Sequence, residues 1–591
     1  MSVSKQFYFN NYIVYCNLGN ILGGKKMKKL LALVLTMILT IGLVGCGGTD
    51  GKQVEADKTQ LNISCWDGGF GISWLEAIGK RFEEKYADYS FEPNKKGVQV
   101  WTTASKGNVY DSFATKILSL TDDISISEQC NYNGFVVHKS ALDITDAVTT
   151  PLTEYGETRS IADKLSADDR SFYGVESNKY YGLPWYESTF GFQYDIELFE
   201  EENLYFAADG QGDSDGFITR SNMERGTGPD GKSGTSDDGL PRTYDEFFKL
   251  LDKIYELEMT PVIWAGNAQV YINNLLLSLI ADYEGYDQMS LNYNLNGKAT
   301  DLIESISDGK VTFMSPIDIT NANGYLLQKQ AGRYYGLAFL EKLLTTKDAN
   351  GEYKYFSAEK SRAETRTQKQ AQSDFLRGRF SETVKTTAIL IDGSWWYSEA
   401  KSTFSQMSNI PGASATERKI GFMPFPKVNE SALGETTWFN NWMTSINIRS
   451  NLEPEKQKVA KQFIRFMHTD ESLSEFTKIT SGVRPFSYNL TEKDEPQTSY
   501  YGKQLLQIHN ENTAENPTIV SPWSMNKLIV SNLSNFMIND QVFHSLTNGS
   551  SYTLVANALI DYKVSAKQYF DGLSSYWNEE RWNEAYKTYL N

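Results

Sequence analysis

Cysteine and histidine are scarce in this 591-residue chain, with four of each. So few thiols in so long a sequence exclude a disulfide framework. No two of His138, His468, His509 and His544 stand at metal-ligand spacing, so a histidine zinc site or a histidine-activated nucleophile would need long-range assembly. Basic charge is also short. Fifty-seven Lys and Arg face 74 Asp and Glu, a net charge of −17, which is the wrong sign for a partner whose phosphates need a basic surface. Beyond residue 46 no apolar run reaches the ~20 residues of a membrane-spanning helix, and no solenoid or propeller period recurs. Aromatics are what the chain has in abundance: 12 Trp, 35 Tyr and 31 Phe. That richness excludes disorder over most of the length.

The N-terminal segment reads as an address. Lys28 and Lys29 precede an apolar run from Leu30 to Val44, which ends in Leu43-Val44-Gly45-Cys46. A charged start, a short apolar stretch and small residues at a cut site make an export signal. The last four residues resemble a bacterial lipobox, which makes Cys46 the lipidated N-terminus of the mature chain. The 26 residues before Met27 have no role in such a signal. Gly23-Gly24-Lys25-Lys26 ahead of Met27 can be encoded by a ribosome-binding sequence, so translation is expected to start at Met27, with 27–45 as the signal. Residues 46–60 form a polar, Gly-bearing tether. The expected location is the extracytoplasmic face of the cell membrane, held by the lipid. Cys65 and Cys130 can pair or stay free.

Strand-like runs then alternate with amphipathic helices. "LNISCW" (61–66), "DDISISE" (122–128) and "TAILIDG" (387–393) read as strands. Trp74, Leu75, Ile78 and Phe82 form one helical face, and Thr243-Tyr244-Asp245-Glu246 reads as a capping box. Alternation of this kind predicts α/β lobes with parallel-rich sheets. One stretch breaks the pattern: Asp209–Gly239 is acidic and Gly-rich, a surface insertion.

Two motifs inside that insertion mislead. Gly226-x-x-x-x-Gly231-Lys232-Ser233 has the P-loop spacing but lacks the strand before and helix after that would converge on phosphate, and Asp230 would repel it. Gly212-Asp213-Ser214-Asp215-Gly216 has the nucleophile-elbow string, but carboxylates on both sides oppose an oxyanion. Asp230, Asp237 and Asp238 are the chain's candidate Ca²⁺ ligands, since a hard cation takes oxygen ligands around a turn. Against this stands the plainer reading of a solvated acidic loop. No other cofactor is expected.

The placement of tryptophan is more telling. Trp66 ends a strand, Trp185 lies in "YYGLPWYE", Trp264 follows "PVI", Trp395 follows "TAILIDGS", and Trp442 closes "WFNNW". Ligands of open α/β sheets bind beyond strand carboxyl ends. There an indole face can stack on a sugar ring while carboxylates and amides take its hydroxyls. Trp74, on a helix's apolar face, reads instead as core.

From about Leu61 to Leu490 the chain resembles the group-1 family of extracellular solute-binding proteins that serve carbohydrate ABC transporters. The strings carrying the resemblance are "CWDGGFGISWLEAIGKRFEEKY", "YYGLPWYESTFGFQYDIELFEEENLY", "DFLRGRF…TAILIDGSWWYSEA", "KIGFMPFPK" and "NNWMTSINIRS…AKQFIRFMHTDESLSEFTKITSGVRPFSYNL", in that order. The resemblance implies an α/β, two-lobed, periplasmic-binding-protein-like fold of type II, with three crossovers and a hinged cleft. Lobe 1 would be 61–185 plus 386–444, and lobe 2 would be 190–385 plus 447–591. Matched positions put Trp66, Asp67, Glu128, Trp185, Glu187, Trp264, Trp395, Asn441, Trp442 and Arg484 in the cleft. The implied partners are an oligosaccharide, two permease subunits and a cytoplasmic ATPase; the protein would be a monomer and not an enzyme. Two alternatives share the cleft. One is a surface glycosidase or lyase, which needs paired carboxylates; the other is a ligand-sensing partner of a membrane kinase.

Overall fold

A computed structural model describes residues 53–105, 113–128, 132–307, 309–525 and 554–590. The signal segment, Cys46 and Cys130 lie outside the described residues. The stretch Asp57–Asn591 is one compact unit and holds both lobes. Among the described residues no helix is long and apolar enough to cross a membrane.

The first strand, β1 (Thr59–Trp66), alternates buried and half-buried residues along its length. This period of two lays Leu61, Ile63 and Cys65 into the core. Helix α1 (Ser73–Lys85) covers them with Trp74, Leu75, Ile78 and Phe82, as the helical spacing predicts. Strands β2 (Val98–Ser105) and β3 (Ile124–Glu128) pair parallel on either side of β1. The chain then passes to a second sheet. Strand β4 (Phe190–Asp195) is buried along its whole length. Helix α2 (Tyr244–Glu256), β5 (Thr260–Ile263), α3 (Val270–Asn294), α4 (Ala331–Thr345), α5 (Gln368–Gly378), β6 (Thr387–Gly393) and β7 (Ile420–Met423) come next in the chain. The order in this sheet is β7-β4-β6-β5.

After the short β8 (Trp438–Phe439), strand β9 (Thr444–Ile448) returns to the first sheet and pairs antiparallel with β3. Helices α6 (Pro454–Met467) and α7 (Asp470–Thr480) pack on α1. A third passage leads to α8 (Tyr500–Glu511), which packs on β7, and to β10 (Ile519–Val520), which pairs with β8. The architecture is thus α/β and two-lobed, with three passages between the sheets.

Three expectations are corrected here. β6 and β7 hydrogen-bond within the second sheet, so the stretch expected to begin a return to lobe 1 at 386 stays in lobe 2 until about 440. Conversely the end of β9 from residue 447 on, with α6 and α7, expected in lobe 2, goes with the first sheet. The second sheet is also mostly antiparallel, since β4 runs against both β6 and β7. Finally, the capping box at α2 is half formed. Thr243 Oγ1 accepts from the Glu246 N–H at 3.3 Å, but the Glu246 carboxylate takes the Arg242 N–H at 2.7 Å and its guanidinium.

One buried ion pair holds the second lobe's edge. Asp195 ends β4 and caps the following helix through the Leu198 N–H at 3.2 Å, while its other oxygen takes Arg418, a fully buried side chain that also donates to the Leu376 carbonyl at 3.2 Å. Removing one partner of such a pair strands a buried charge. Arg418→Ala is expected to lower the unfolding free energy by about 3–5 kcal/mol in a urea titration. The paired change Arg418→Met with Asp195→Leu should recover most of that loss.

Candidate functional site

The carboxyl ends of β1, β3 and β6 face one another across the two lobes. Trp66 closes β1, Glu128 closes β3, and Trp395 follows β6 by two residues. The loop after β1 passes between the two indoles on glycine alone. A Cβ on Gly68 would lie 2.1 Å from Trp66 Nε1, and one on Gly69 would lie 2.5 Å from the Trp395 Cβ. Gly393 gives the same clearance on the other side, where a Cβ would meet Trp395 Cη2 at 2.2 Å. A side chain at Gly69 would push the two lobes apart here, and one at Gly68 or Gly393 would displace its neighbouring indole. The lobes also touch directly: Ser398 Oγ donates to the Phe70 carbonyl at 3.1 Å.

Acidic groups collect around these indoles. The Tyr186 hydroxyl donates to Glu128 Oε2. Burial pushes the Glu128 carboxyl up to about 7; Tyr186 and the Trp66 indole pull it back, and Glu399 from the other lobe raises it further. On that other lobe, Gln372 Nε2 bridges Asp392 Oδ2 at 3.0 Å and Glu399 Oε2 at 2.7 Å. Burial first, then Glu399, holds Asp392 well above the carboxylate range. Tyr271, in the first turn of α3, packs on Phe190 with ring centres 5.2 Å apart. Burial lifts its phenol, Asp392, Glu399 and Glu128 add to the shift, and the Trp395 indole opposes it. Three carboxyls from two lobes therefore share one neighbourhood, and it favours their protonated forms.

The predicted residues divide into those this junction gathers and those it does not. Trp66 is half-buried and Trp395 is 9% exposed, both at the junction. Asp67 is half-buried at the end of β1, where its N–H extends the ladder to the Ser105 carbonyl at 2.9 Å. Asn441 and Trp442 lie on the second passage, with their N–H groups on the Ser188 carbonyl and hydroxyl, both at 2.8 Å. Both amide atoms of the Asn441 side chain are enclosed and have no hydrogen-bond partner among the described residues.

Trp185 instead belongs to the lobe 1 core. It is 0% exposed, stacks on Trp74 at 5.8 Å and 15°, and donates to the Ser127 carbonyl at 2.9 Å. Trp264 is buried against Phe356 at 4.7 Å and bonds Gln269. Arg484 is buried as well. It donates to the Trp185 carbonyl at 3.2 Å, the Met467 carbonyl at 2.9 Å and His468 Nε2 at 2.8 Å, and burial brings its pKa down to about 9. These three are structural because aromatic and carbonyl partners from distant segments enclose them. Glu187 turns to His509, behind the junction, with Oε2 at 3.1 Å from Nδ1.

Nor do Asp230, Asp237 and Asp238 form a cation cage. Asp237 takes the Asp230 N–H at 3.1 Å and the Thr235 hydroxyl at 2.6 Å, Asp238 takes the Gly234 N–H at 2.8 Å, and Asp230 takes the Lys232 N–H at 2.7 Å. Among the described residues no group of three or more His, Cys, Asp or Glu could hold a metal ion. Tyr186, Tyr271 and Glu399 were missed. Glu399 sits one helical turn after Trp395, and that spacing in "SWWYSEA" was the available signal.

The division has two measurable consequences. Trp185→Ala empties a packed core and is expected to cost about 3–5 kcal/mol in a urea titration, whereas Trp66→Ala should change stability far less. Glu128 holds its proton to about 7 in the folded chain against an ordinary 4.5. The folded state thus binds more protons between those values, and stability falls as pH rises through them. Glu128→Gln removes this penalty, so thermal melts should show a gain of roughly 1–3 kcal/mol at about pH 8 and none at about pH 4.

Comparison with known proteins gives distant structural likenesses. The apo form of RafE from Streptococcus pneumoniae is 14% identical, covering 89% of this chain and 99% of its own, with a TM-score of 0.49. Maltose-bound MalE3 of T. maritima is 14% identical over 88% and 99%, with a TM-score of 0.48. A Bacillus subtilis binding protein, MsmE, in an open conformation, is 13% identical over 90% and 100%, also with a TM-score of 0.48. No curated protein is matched. Residues 135–500, more than half of the chain, match the family model described as bacterial extracellular solute-binding protein. The chain belongs to that family.

Proposed function

We propose that the protein is anchored through Cys46 to the outer face of the cell membrane, where it captures an oligosaccharide and delivers it to an import permease. A cytoplasmic ATPase would drive that permease. The observation that carries the sugar reading is the junction itself. Indoles from opposite lobes, Trp66 and Trp395, flank the Gly68-Gly69 pair, with Glu128, Asp67 and an Asn441 amide that has no partner among the described residues beside them. Flat apolar faces suit the C–H face of a pyranose, and acid and amide groups suit its hydroxyls. Capture makes and breaks no bond; closure of the lobes about the three passages would present the loaded form to the permease.

A second reading has one observation in its favour. Glu128, Asp392 and Glu399 meet across the lobes with raised pKa values, and a glycosidase needs carboxyls facing each other across its substrate. A panel of neutral oligosaccharides separates the two readings. In thermal-shift titrations of the full chain in detergent, one sugar class should raise the melting temperature by mass action. It should be recovered intact, and Trp66→Ala should abolish the shift. New reducing ends in place of intact sugar would give the glycosidase reading, and no shift with any sugar would defeat capture.

A further inference from the structure

His509 sits in the last turn of α8, where both ring nitrogens meet acceptors from two different passages. Nδ1 lies 3.1 Å from Glu187 Oε2 on the first passage, and Nε2 lies 2.9 Å from the Phe486 carbonyl on the third. A carbonyl cannot donate, so Nε2 carries a proton, and a proton on Nδ1 facing the carboxylate completes an imidazolium. The same two passages bond each other: the Glu187 N–H donates to the Val483 carbonyl at 3.0 Å.

We propose that His509 is a positioning residue, an imidazolium pin that fastens the first passage to the third and so sets how freely the lobes pivot. This rests on the two lobes closing about those passages, as in the function proposed above.

The surroundings favour the charge. Burial opposes it, but Glu187, the Phe486 carbonyl and Asp169 outweigh burial, so the ring is raised above its ordinary 6.5. Asp169, on the helix Ala167–Tyr173, has its carboxyl pushed up to about 7 by burial, with Glu187 and Asp168 adding to it and Ser166 and His509 opposing. Asp168 accepts from the Tyr286 hydroxyl of α3. Tyr488, which is buried, feels Glu187 in turn. As pH rises through about 7 Asp169 ionises, which supports the imidazolium and delays its loss. For a group with a raised pKa the stabilising contact is complete below 6.5 and disappears as pH climbs through the raised value. Loss of the Nδ1 proton leaves two lone pairs face to face at Glu187, while the bond to Phe486 persists. The first passage then loses its side-chain tie and is held to the third only by the Glu187 N–H on Val483 and by Arg484 on the Trp185 carbonyl, so it is loosened.

The test uses the full chain in detergent without sugar, so its failure leaves the sugar panel standing. Four histidines allow nitrogen-15 NMR of the imidazoles. One ring, absent from His509→Gln, should still be mostly doubly protonated at about pH 6.5 and titrate above that value. Deuterium exchange, corrected for intrinsic pH dependence, should show peptides over 183–189 and 483–486 losing roughly tenfold protection between about pH 6 and about pH 9. In His509→Gln the same peptides should exchange alike at both pH values. A ring already neutral at about pH 6.5, or pH-independent protection in the wild type, overturns the proposal. Both readings come from the wild type, so they decide the matter even if the variant does not fold.

Discussion

The pairing of the three passages between the lobes is the constraint on which the rest depends. On the first passage, Leu183 bridges Ile446 of β9 and Thr189 bridges Asn440 on the second passage. Asn440 Oδ1 takes both the N–H and the hydroxyl of Ser188 at 2.9 Å, and its Nδ2 reaches Ser521 at 3.2 Å. Each buried polar group that separation would uncover loses a partner, at about 1–3 kcal/mol apiece. Lateral separation is therefore opposed many times over. A pivot that bends these short ribbons breaks few of the bonds, so the passages permit rotation while resisting translation. The strand ends that carry Trp66 and Trp395 are brought face to face by this lacing, since neither sheet alone places them.

Charge is distributed to match. The chain is poor in cations, and several of those it has are buried in its own frame. Arg484 donates to two carbonyls and a histidine, Arg418 pairs with Asp195, Arg333 donates to Gln330 and Asn292, and Lys427 pairs with Asp282. Arg484 and Arg333 gather several backbone or side-chain acceptors and Arg418 a carboxylate with a backbone carbonyl, which is how a buried cation is tolerated. The junction, by contrast, holds Asp67, Glu128, Asp392 and Glu399. The raised carboxyls of Glu128, Asp392 and Glu399, with amide and phenol neighbours, both donate and accept hydrogen bonds, which suits an uncharged polyol in the proposed role.

How much of this could be read from the sequence depended on how local the deciding interaction was. β6 and the buried face of α1 were legible because a continuous apolar run and helical spacing are set within a few residues. Trp66 was legible by parity, since Leu61, Ile63 and Cys65 take the buried face of β1 and leave Trp66 to the other. Trp185 looked the same, an indole beside an acidic residue, but no strand carries it and no parity applies. What decides its place is Trp74, more than a hundred residues earlier, and Arg484, about three hundred later. The lobe boundaries failed for the same reason. "TAILIDG" was visible as a strand, while its partners, β4 and β5, come from far upstream.

The acidic insertion shows the same limit in electrostatic form. Its aspartates have the spacing of cation ligands, yet a carboxylate oxygen that accepts a backbone N–H is turned toward its own turn. Asp213 receives the Asp215 and Phe217 N–H groups at 3.0 and 2.9 Å, as Asp230, Asp237 and Asp238 receive theirs. Such turns need glycine at left-handed positions, and Gly216, Gly228, Gly231, Gly234 and Gly239 all have positive φ. Composition alone cannot distinguish the two uses, because Asp and Gly serve both. The difference lies in what holds the loop down. Here Arg225 lies 3.6 Å over the Tyr205 ring, Lys232 pairs with Glu435 at 2.7 Å, and Phe206 stacks on Phe217 at 4.4 Å. Those contacts fix the insertion to lobe 2 through cation–π, ionic and aromatic packing, leaving its carboxylates to order the backbone.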